Sequence, residues 1–197
     1  MASSTERTRF GTSIAVLMLF VLSTYPLLSF ASNDDALKIN GKAKVQVLKG
    51  YRLKYSVETS ASQSTIWRLW SDVKHWNKFD TLLEYSYLDD GYAFEQGATG
   101  VIKAEGTNRT RFKLHDVVDG VSFTETLHVP LYQSIDLKRY FEESETGKTV
   151  FTHEVVFRGR LRFLIYAIAA GTFKSELPLV MGRLKAVAEK EESSDEP

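Results

Sequence analysis

The 197-residue chain contains no cysteine. That excludes disulfides, thiolate nucleophiles, cysteine-ligated zinc and lipid attachment through cysteine. A chain of this size can fold without such staples. It also lacks an excess of either charge, with 25 basic against 25 acidic residues, so nothing electrostatic points to nucleic acid as a partner. Histidine is sparse. His75, His115, His128 and His153 have no ligand spacing with one another, so the sequence calls for no metal and no cofactor. No glycine-rich phosphate loop precedes a helix, because Gly97 and Gly100 serve a turn between strands. The serines lack a nucleophile-elbow setting, and there is no internal repeat. What is present is apolar: 43% of residues are hydrophobic and 12% aromatic, enough for the core of one domain.

The start of the chain reads as an export signal. Arg7 and Arg9 give a positive opening, 14–22 (IAVLMLFVL) is a short apolar run, and Pro26 breaks the helix. Ser29 and Ala31 put small residues where a signal peptidase reads. Residues 1–31 are therefore expected to be a signal peptide, leaving Ser32 as the mature N-terminus and the protein periplasmic or secreted. The competing reading is an uncleaved membrane anchor, since 10–30 is long enough to cross a bilayer at roughly 20 residues per span. A membrane would then be met only through this segment.

Residues 32–50 read as a polar arm with a short strand at Val45 and Val47. Tyr51, Leu53, Tyr55 and Val57 then recur with period two, the mark of a half-buried strand. The Ser60–Ser64 cluster can cap a helix carrying Ile66, Trp67, Leu69, Trp70 and Val73 at helical spacing. Trp76 and Phe79 extend it into a second short helix. After Asp80 strands follow with little interruption: 82–88 (Leu83, Tyr85, Tyr87 on one face), 101–105, 109–118, 121–129, 131–141 and 149–157. Asp89-Asp90-Gly91, Asp119-Gly120 and Glu145-Thr146-Gly147 supply the turns, and Asn108-Arg109-Thr110 is a glycosylation sequon on another turn. From Arg160 to Glu191 the period becomes helical, with a broad apolar stripe and an expected bend at Pro178. Residues 192–197 read as an acidic, frayed tail.

Strand, two short helices, about six antiparallel strands and one long helix make an α+β arrangement. A single antiparallel sheet buries a long apolar helix by curling around it. This is a helix-grip fold, with a curved antiparallel sheet wrapped around a long C-terminal helix over residues 51–191. An apolar cavity between sheet and helix is its default ligand site.

Particular residues carry a family resemblance over most of this region. The run 64–79 (STIWRLWSDVKHWNKF), the strand 148–159 (KTVFTHEVVFRG) and Leu177-Pro178 followed by 183–189 (RLKAVAE) resemble the SRPBCC, or START-like, superfamily, in particular its polyketide cyclase/dehydrase and lipid transport group. The resemblance implies a cavity for a hydrophobic molecule such as a lipid, quinone or polyketide. It does not choose between carriers, cyclases and stress-response proteins.

Polar residues on apolar strand faces are the candidates for chemistry. Glu125 shares a face with Val121, Phe123, Leu127 and Val129. A carboxylate there must be paired, protonated or at a solvated mouth. It can anchor a ligand hydroxyl, act as general acid or base, or pair with Arg139. Arg139, between Leu137 and Phe141, can fork onto a ligand carboxylate or phosphate, or neutralise Glu125. His153, between Phe151 and Val155, can donate to a ligand oxygen, shuttle a proton, or be a satisfied core histidine. The expected apolar wall is Tyr85, Tyr87, Phe112, Leu114, Phe123, Leu127, Phe151 and Phe157, closed by Ile168 and Val180 from the long helix. Trp67, Trp70 and Trp76 are expected to pack between the early helices and the sheet, the alternative being a lid over the cavity mouth. Three functions follow: a carrier or sensor of a hydrophobic small molecule, a cyclase or dehydratase using Glu125 and His153 as an acid–base pair, or an interaction module with a filled core.

Overall fold

The computed structural model describes residues 45–130 and 133–195. The signal peptide or anchor expected at 1–31 and most of the arm at 32–50 lie outside the described residues. Alternating apolar residues build eight strands: β1 (Gln46–Leu48), β2 (Arg52–Thr59), β3 (Leu83–Leu88), β4 (Thr99–Ala104), β5 (Thr110–Val118), β6 (Ser122–Val129), β7 (Gln133–Glu142) and β8 (Thr149–Arg158). Between β2 and β3 lie helix α1 (Gln63–Ser71) and a 3-10 turn (Val73–Lys78), and helix α2 (Arg162–Asp195) closes the chain. All strands join one curved antiparallel sheet in the order β1-β2-β8-β7-β6-β5-β4-β3. The first long strand thus pairs with the last, Tyr55 opposite His153.

Pairing register decides which residues share a face. Phe123 lies opposite Arg139, Arg139 opposite His153, Leu137 opposite Glu125 and Val155, and Phe141 opposite Phe151. The same face continues as Phe112 and Leu114 on β5 and as Leu53 and Tyr55 on β2. These side chains, with Leu177, Met181, Leu184 and Ala188 of α2, form the core. Each large apolar side chain buried completely here, among them Trp70, Phe112, Phe123, Phe151 and Phe157, contributes about 1.5–3 kcal/mol. The opposite face carries a polar ladder. Arg52 pairs with Glu154 at 2.6 Å, Lys54 with Glu142 at 3.0 Å and Arg158 with Asp136 at 2.9 Å.

Helix α1 begins where Ser62 caps it, its side chain accepting from the Thr65 backbone N–H; it buries Ile66, Leu69 and Trp70. The three tryptophans sit where expected. Trp70 lies against Phe141, ring centroids 5.1 Å apart, and Trp67 against Phe94 at 5.8 Å. Trp76 donates from Nε1 to the Trp70 carbonyl at 2.8 Å.

Three expectations are corrected. Tyr85 and Tyr87 do not face the core. The β3–β4 register slips between Leu83 and Tyr85, so the alternation shifts by one residue. Ser86 turns inward and donates to the Val73 carbonyl at 2.6 Å, while Tyr85 and Tyr87 stack outside, with Tyr87 40% exposed. Tyr51 and Val121, expected on core faces, lie just before β2 and β6 and are exposed. Tyr51 precedes β2 with a positive φ of 61°, and Val121 follows the Asp119-Gly120 turn. Lastly, α2 runs to Asp195 and does not fray after Glu191. Glu192 accepts from the Ser62 backbone N–H at 2.8 Å and from the Ser62 and Thr65 hydroxyls. A carboxylate is favoured at a helix N-terminus, so the acidic end of one helix caps the start of another. Glu189 reaches Thr59 and Ser60, and Arg68 pairs with Glu191 at 2.6 Å. Pro178 lies within α2, which continues through it.

Candidate functional site

The middle strands β6, β7 and β8 bring three polar residues to the core face side by side. Glu125 is 1% exposed and accepts from Arg139 Nη1 at 2.9 Å through Oε2. The guanidinium of Arg139 lies between the rings of Trp76 and Phe123, 5.1 Å from each centroid. Such an arrangement suits the planar, weakly hydrated guanidinium and would not suit a lysine. His153 is opposite Arg139 in register. The pairing of Glu125 with Arg139, one of the readings the sequence left open, is present.

A cavity between sheet and helix joins these three. Its volume is about 50 Å³, and its apolar lining includes Trp70, Trp76, Phe79, Leu137, Val180 and Leu184. Glu125, Arg139, His153 and Asp80 supply its polar wall. Two buried atoms on that wall have no hydrogen-bond partner among the described residues: Glu125 Oε1 and His153 Nε2. A third, Arg183 Nη1, comes from α2.

Burial sets the protonation behaviour. It pushes the Glu125 carboxyl above the ordinary range, against the pull of Arg139, and Asp80 adds to the push. Burial likewise raises Asp80, opposed by the Leu82 N–H that it accepts at 3.2 Å and by Arg139. His153 is held well below the usual imidazole value, first by burial and then by Arg139. It is thus a neutral ring at pH 7. A neutral imidazole beside a carboxylate held by a guanidinium can hydrogen-bond a hydroxyl or carbonyl, and it can exchange a proton with one.

Of the apolar wall expected from the sequence, Val180 lines the cavity. Phe112, Leu114, Phe123, Leu127, Phe151 and Phe157 are buried core residues around it. Tyr85 and Tyr87 are outside, and Ile168 is half-buried away from the core cluster. Asp80, Phe79, Leu83, Ile102, Leu137, Met181 and Leu184 line the cavity without having been singled out. For Leu137, Met181 and Leu184 the signal was there, in the strand alternation and in the helical stripe around Leu177 and Val180. Asp80 carried none, since a lone aspartate after a short helix reads as a turn. Among the described residues no group of three His, Asp or Glu could hold a metal ion.

No protein-family model matches the chain, and no curated protein matches its sequence. Solved structures do match its fold. A protein from Arthrobacter aurescens superposes with a TM-score of 0.57 at 14% identity, covering 75% of this chain and 91% of its own. The di-domain ARO/CYC StfQ from the steffimycin biosynthetic pathway gives 0.57 at 8% identity, with 73% of this chain matching 52% of that one. Ara h 8.0201 gives 0.51 at 11% identity, covering 68% and 96%. At such identities the likeness concerns architecture. The chain itself has a helix-grip α+β fold, an antiparallel sheet curved about a long C-terminal helix with a cavity between them.

Proposed function

We propose that the chain is a non-catalytic binding or carrier protein for a hydrophobic small molecule (a lipid, quinone or polyketide-like compound) whose polar end is received by Glu125, Arg139 and His153. The supporting observation is the pair of unpartnered polar atoms, Glu125 Oε1 and His153 Nε2, on one wall of an otherwise mostly apolar cavity. A buried polar atom without a partner costs about 1–3 kcal/mol. A ligand hydroxyl or carbonyl reaching these atoms would recover that cost. The ligand's apolar part would lie along Trp70, Phe79, Leu137 and Leu184, gaining at most about 25 cal/mol per Å² buried. The similarity of fold to ARO/CYC StfQ and Ara h 8.0201, together with the motifs quoted above, supports placing the chain in the SRPBCC superfamily under this proposal.

The cavity of about 50 Å³ has room for one or two waters. Pockets for larger organic ligands run to roughly 300–1,000 Å³. Loading a lipid-sized molecule therefore requires α2 or the 3-10 turn to move outward. Native mass spectrometry of the gently purified full chain, followed by titration with a fluorescent fatty acid, tests the proposal. A co-purifying apolar molecule and one-to-one probe binding, weakened at least tenfold by Glu125→Gln or His153→Ala, are expected. A chain that carries nothing and binds no probe has a filled core, and the carrier reading is then wrong.

A second reading has one observation in its favour. Burial raises Glu125 and lowers His153 on the same wall, and buried groups perturbed in one cleft are the usual mark of an acid–base site. A cyclase or dehydratase built on them would lose turnover in Glu125→Gln while keeping substrate affinity. Export forms part of the proposal too. Residues 1–31 would be removed to leave Ser32 first, and N-terminal sequencing that began upstream of Ser29 would contradict it.

A further inference from the structure

The first half of α2 presents a combination that the cavity does not explain. From Phe163 to Gly171 (FLIYAIAAG) the only polar side-chain atom is the Tyr166 hydroxyl. A helix apolar on every side belongs either inside a core or in a membrane environment. Here one side does face the core: Ile165, Tyr166, Ala169 and Phe173 pack on it. The other does not. Phe163 is 52% exposed, Ala167 and Gly171 are exposed, and Leu164 and Ile168 are half-buried beside them. Only 11% of the helix's most apolar 18-residue stretch is buried.

The segment carries cations and no acid. Between Gly159 and Ser175 there are three cations, Arg160, Arg162 and Lys174, and no acid, while Arg158 just before them is paired with Asp136 on the sheet's other face. The acids of α2 begin at Glu176. Arg160 is exposed and has no ion-pair partner among the described residues. Arg162 lies over the ring of Tyr51 at 5.6 Å, and Tyr51 meets Tyr166 edge-on at 5.5 Å. The exposed Tyr51 is thereby held at the edge of the patch. An aromatic and aliphatic face rimmed by arginines matches the region where lipid headgroups meet acyl chains.

We infer that the N-terminal half of α2, with Tyr51, Arg160 and Arg162 at its rim, is a docking face for the surface of an anionic lipid bilayer. The helix lies on the surface and does not cross it, because its second half is tied to the core through Leu177, Met181, Leu184 and Ala188. This contact is separate from any made by residues 1–31, which the sequence alone would nominate. It also does not depend on what the cavity holds.

The absence of cysteine makes the test direct. A polarity-sensitive thiol dye placed at Ala167→Cys in the full chain reads this face alone, and the same dye at Asn108→Cys, in the β4–β5 turn, serves as control. Vesicles of phosphatidylcholine containing phosphatidylglycerol should shift the emission at 167 to the blue and leave 108 unchanged. Pure phosphatidylcholine should do so far less, and added salt should weaken the response. Arg160→Gln should lower vesicle affinity about fivefold, since one cation near an anionic surface contributes roughly that factor. Phe163→Ser, at an exposed position, should weaken it further without unfolding the chain. Three results would overturn the inference: no shift at 167, equal shifts at both sites, or a shift without vesicles that grows with protein concentration. The first is what vesicle binding by residues 1–31 alone would give, and the last would make the face a contact between copies of the chain.

Discussion

Replacing Arg139 with methionine tests the central pairing of the site. Methionine keeps much of the apolar stem and removes the guanidinium, which leaves Glu125 buried without its cation. The cost is bounded because Glu125 can take up a proton instead of remaining a buried anion. Neutralising a carboxyl whose ordinary value is 4.5 costs about 3.4 kcal/mol at pH 7, at 1.36 kcal/mol per unit. Part of that is already present in the native protein, since burial raises Glu125 even beside Arg139. Against this reduction, the contacts of the guanidinium with Trp76 and Phe123 are lost, at about 0.5–2 kcal/mol each. The net expectation is a destabilisation of about 3 kcal/mol at pH 7, in the range for breaking a buried pair from one side. Its pH dependence has a definite sign. Arg139 lowers Glu125, Asp80 and His153 alike, so its loss raises all three in the folded state. A group raised on folding stabilises most at low pH, and that contribution fades as pH climbs. The deficit of the variant should therefore shrink on acidification from pH 7 to pH 5, to roughly 1 kcal/mol. Urea melts followed by tryptophan fluorescence at the two pH values measure it, and Glu125→Gln combined with Arg139→Met should cost less than Arg139→Met alone. A deficit under about 1 kcal/mol at pH 7, or one that does not change with pH, would refute the reasoning.

Other outcomes follow from single contacts. His153 is depressed by burial below its ordinary 6.5, so the unfolded chain binds a proton that the folded chain refuses. Its contribution is complete above pH 6.5 and is lost below it, by at most about 1.4 kcal/mol per pH unit. Relative to wild type, His153→Leu should lose less stability between pH 7 and pH 5 in urea melts. Gly100→Ala would drive a methyl group into the Tyr87 carbonyl oxygen and the Phe112 ring, and calorimetry should show about 1–3 kcal/mol of destabilisation. Ser62→Ala removes the side-chain cap of α1, and a loss of about 1 kcal/mol is expected in chemical denaturation.

Much of this molecule was legible from periodicity. The alternation Phe123, Glu125, Leu127 put a carboxylate on an apolar face, and the matching alternation in β7 put Arg139 within its reach. Register did the rest, since antiparallel neighbours on one face must meet. Alternation failed at Tyr85 and Tyr87, where the slip in β3 inserts a residue that no pattern of side chains announces. The end of α2 was misread for a related reason. Glu189, Glu191 and Glu192 look like a solvated acidic run, and only the fold brings Glu189 and Glu192 to the hydroxyls and backbone of 59–65 and Glu191 to Arg68. Cavity size was not legible at all. It is a small difference between the space enclosed by the sheet and the volumes of Trp70, Trp76, Phe79 and their neighbours, and a change of one rotamer alters it.

The pairing of β2 with β8 also affects the order in which the chain can fold. Arg52 and Glu154, bonded across that seam, are 102 residues apart. The neighbours β3 to β8 form a meander of successive hairpins, so each strand finds its partner soon after it emerges. At about 5–20 residues per second of synthesis, β2 would wait roughly 5–20 s for the strand it needs. During that time Leu53 and Tyr55, destined for the core, are without their sheet. Closing so long a loop is slow and comes after local pairing. The core is therefore sealed last, at the seam where the two ends of the domain meet.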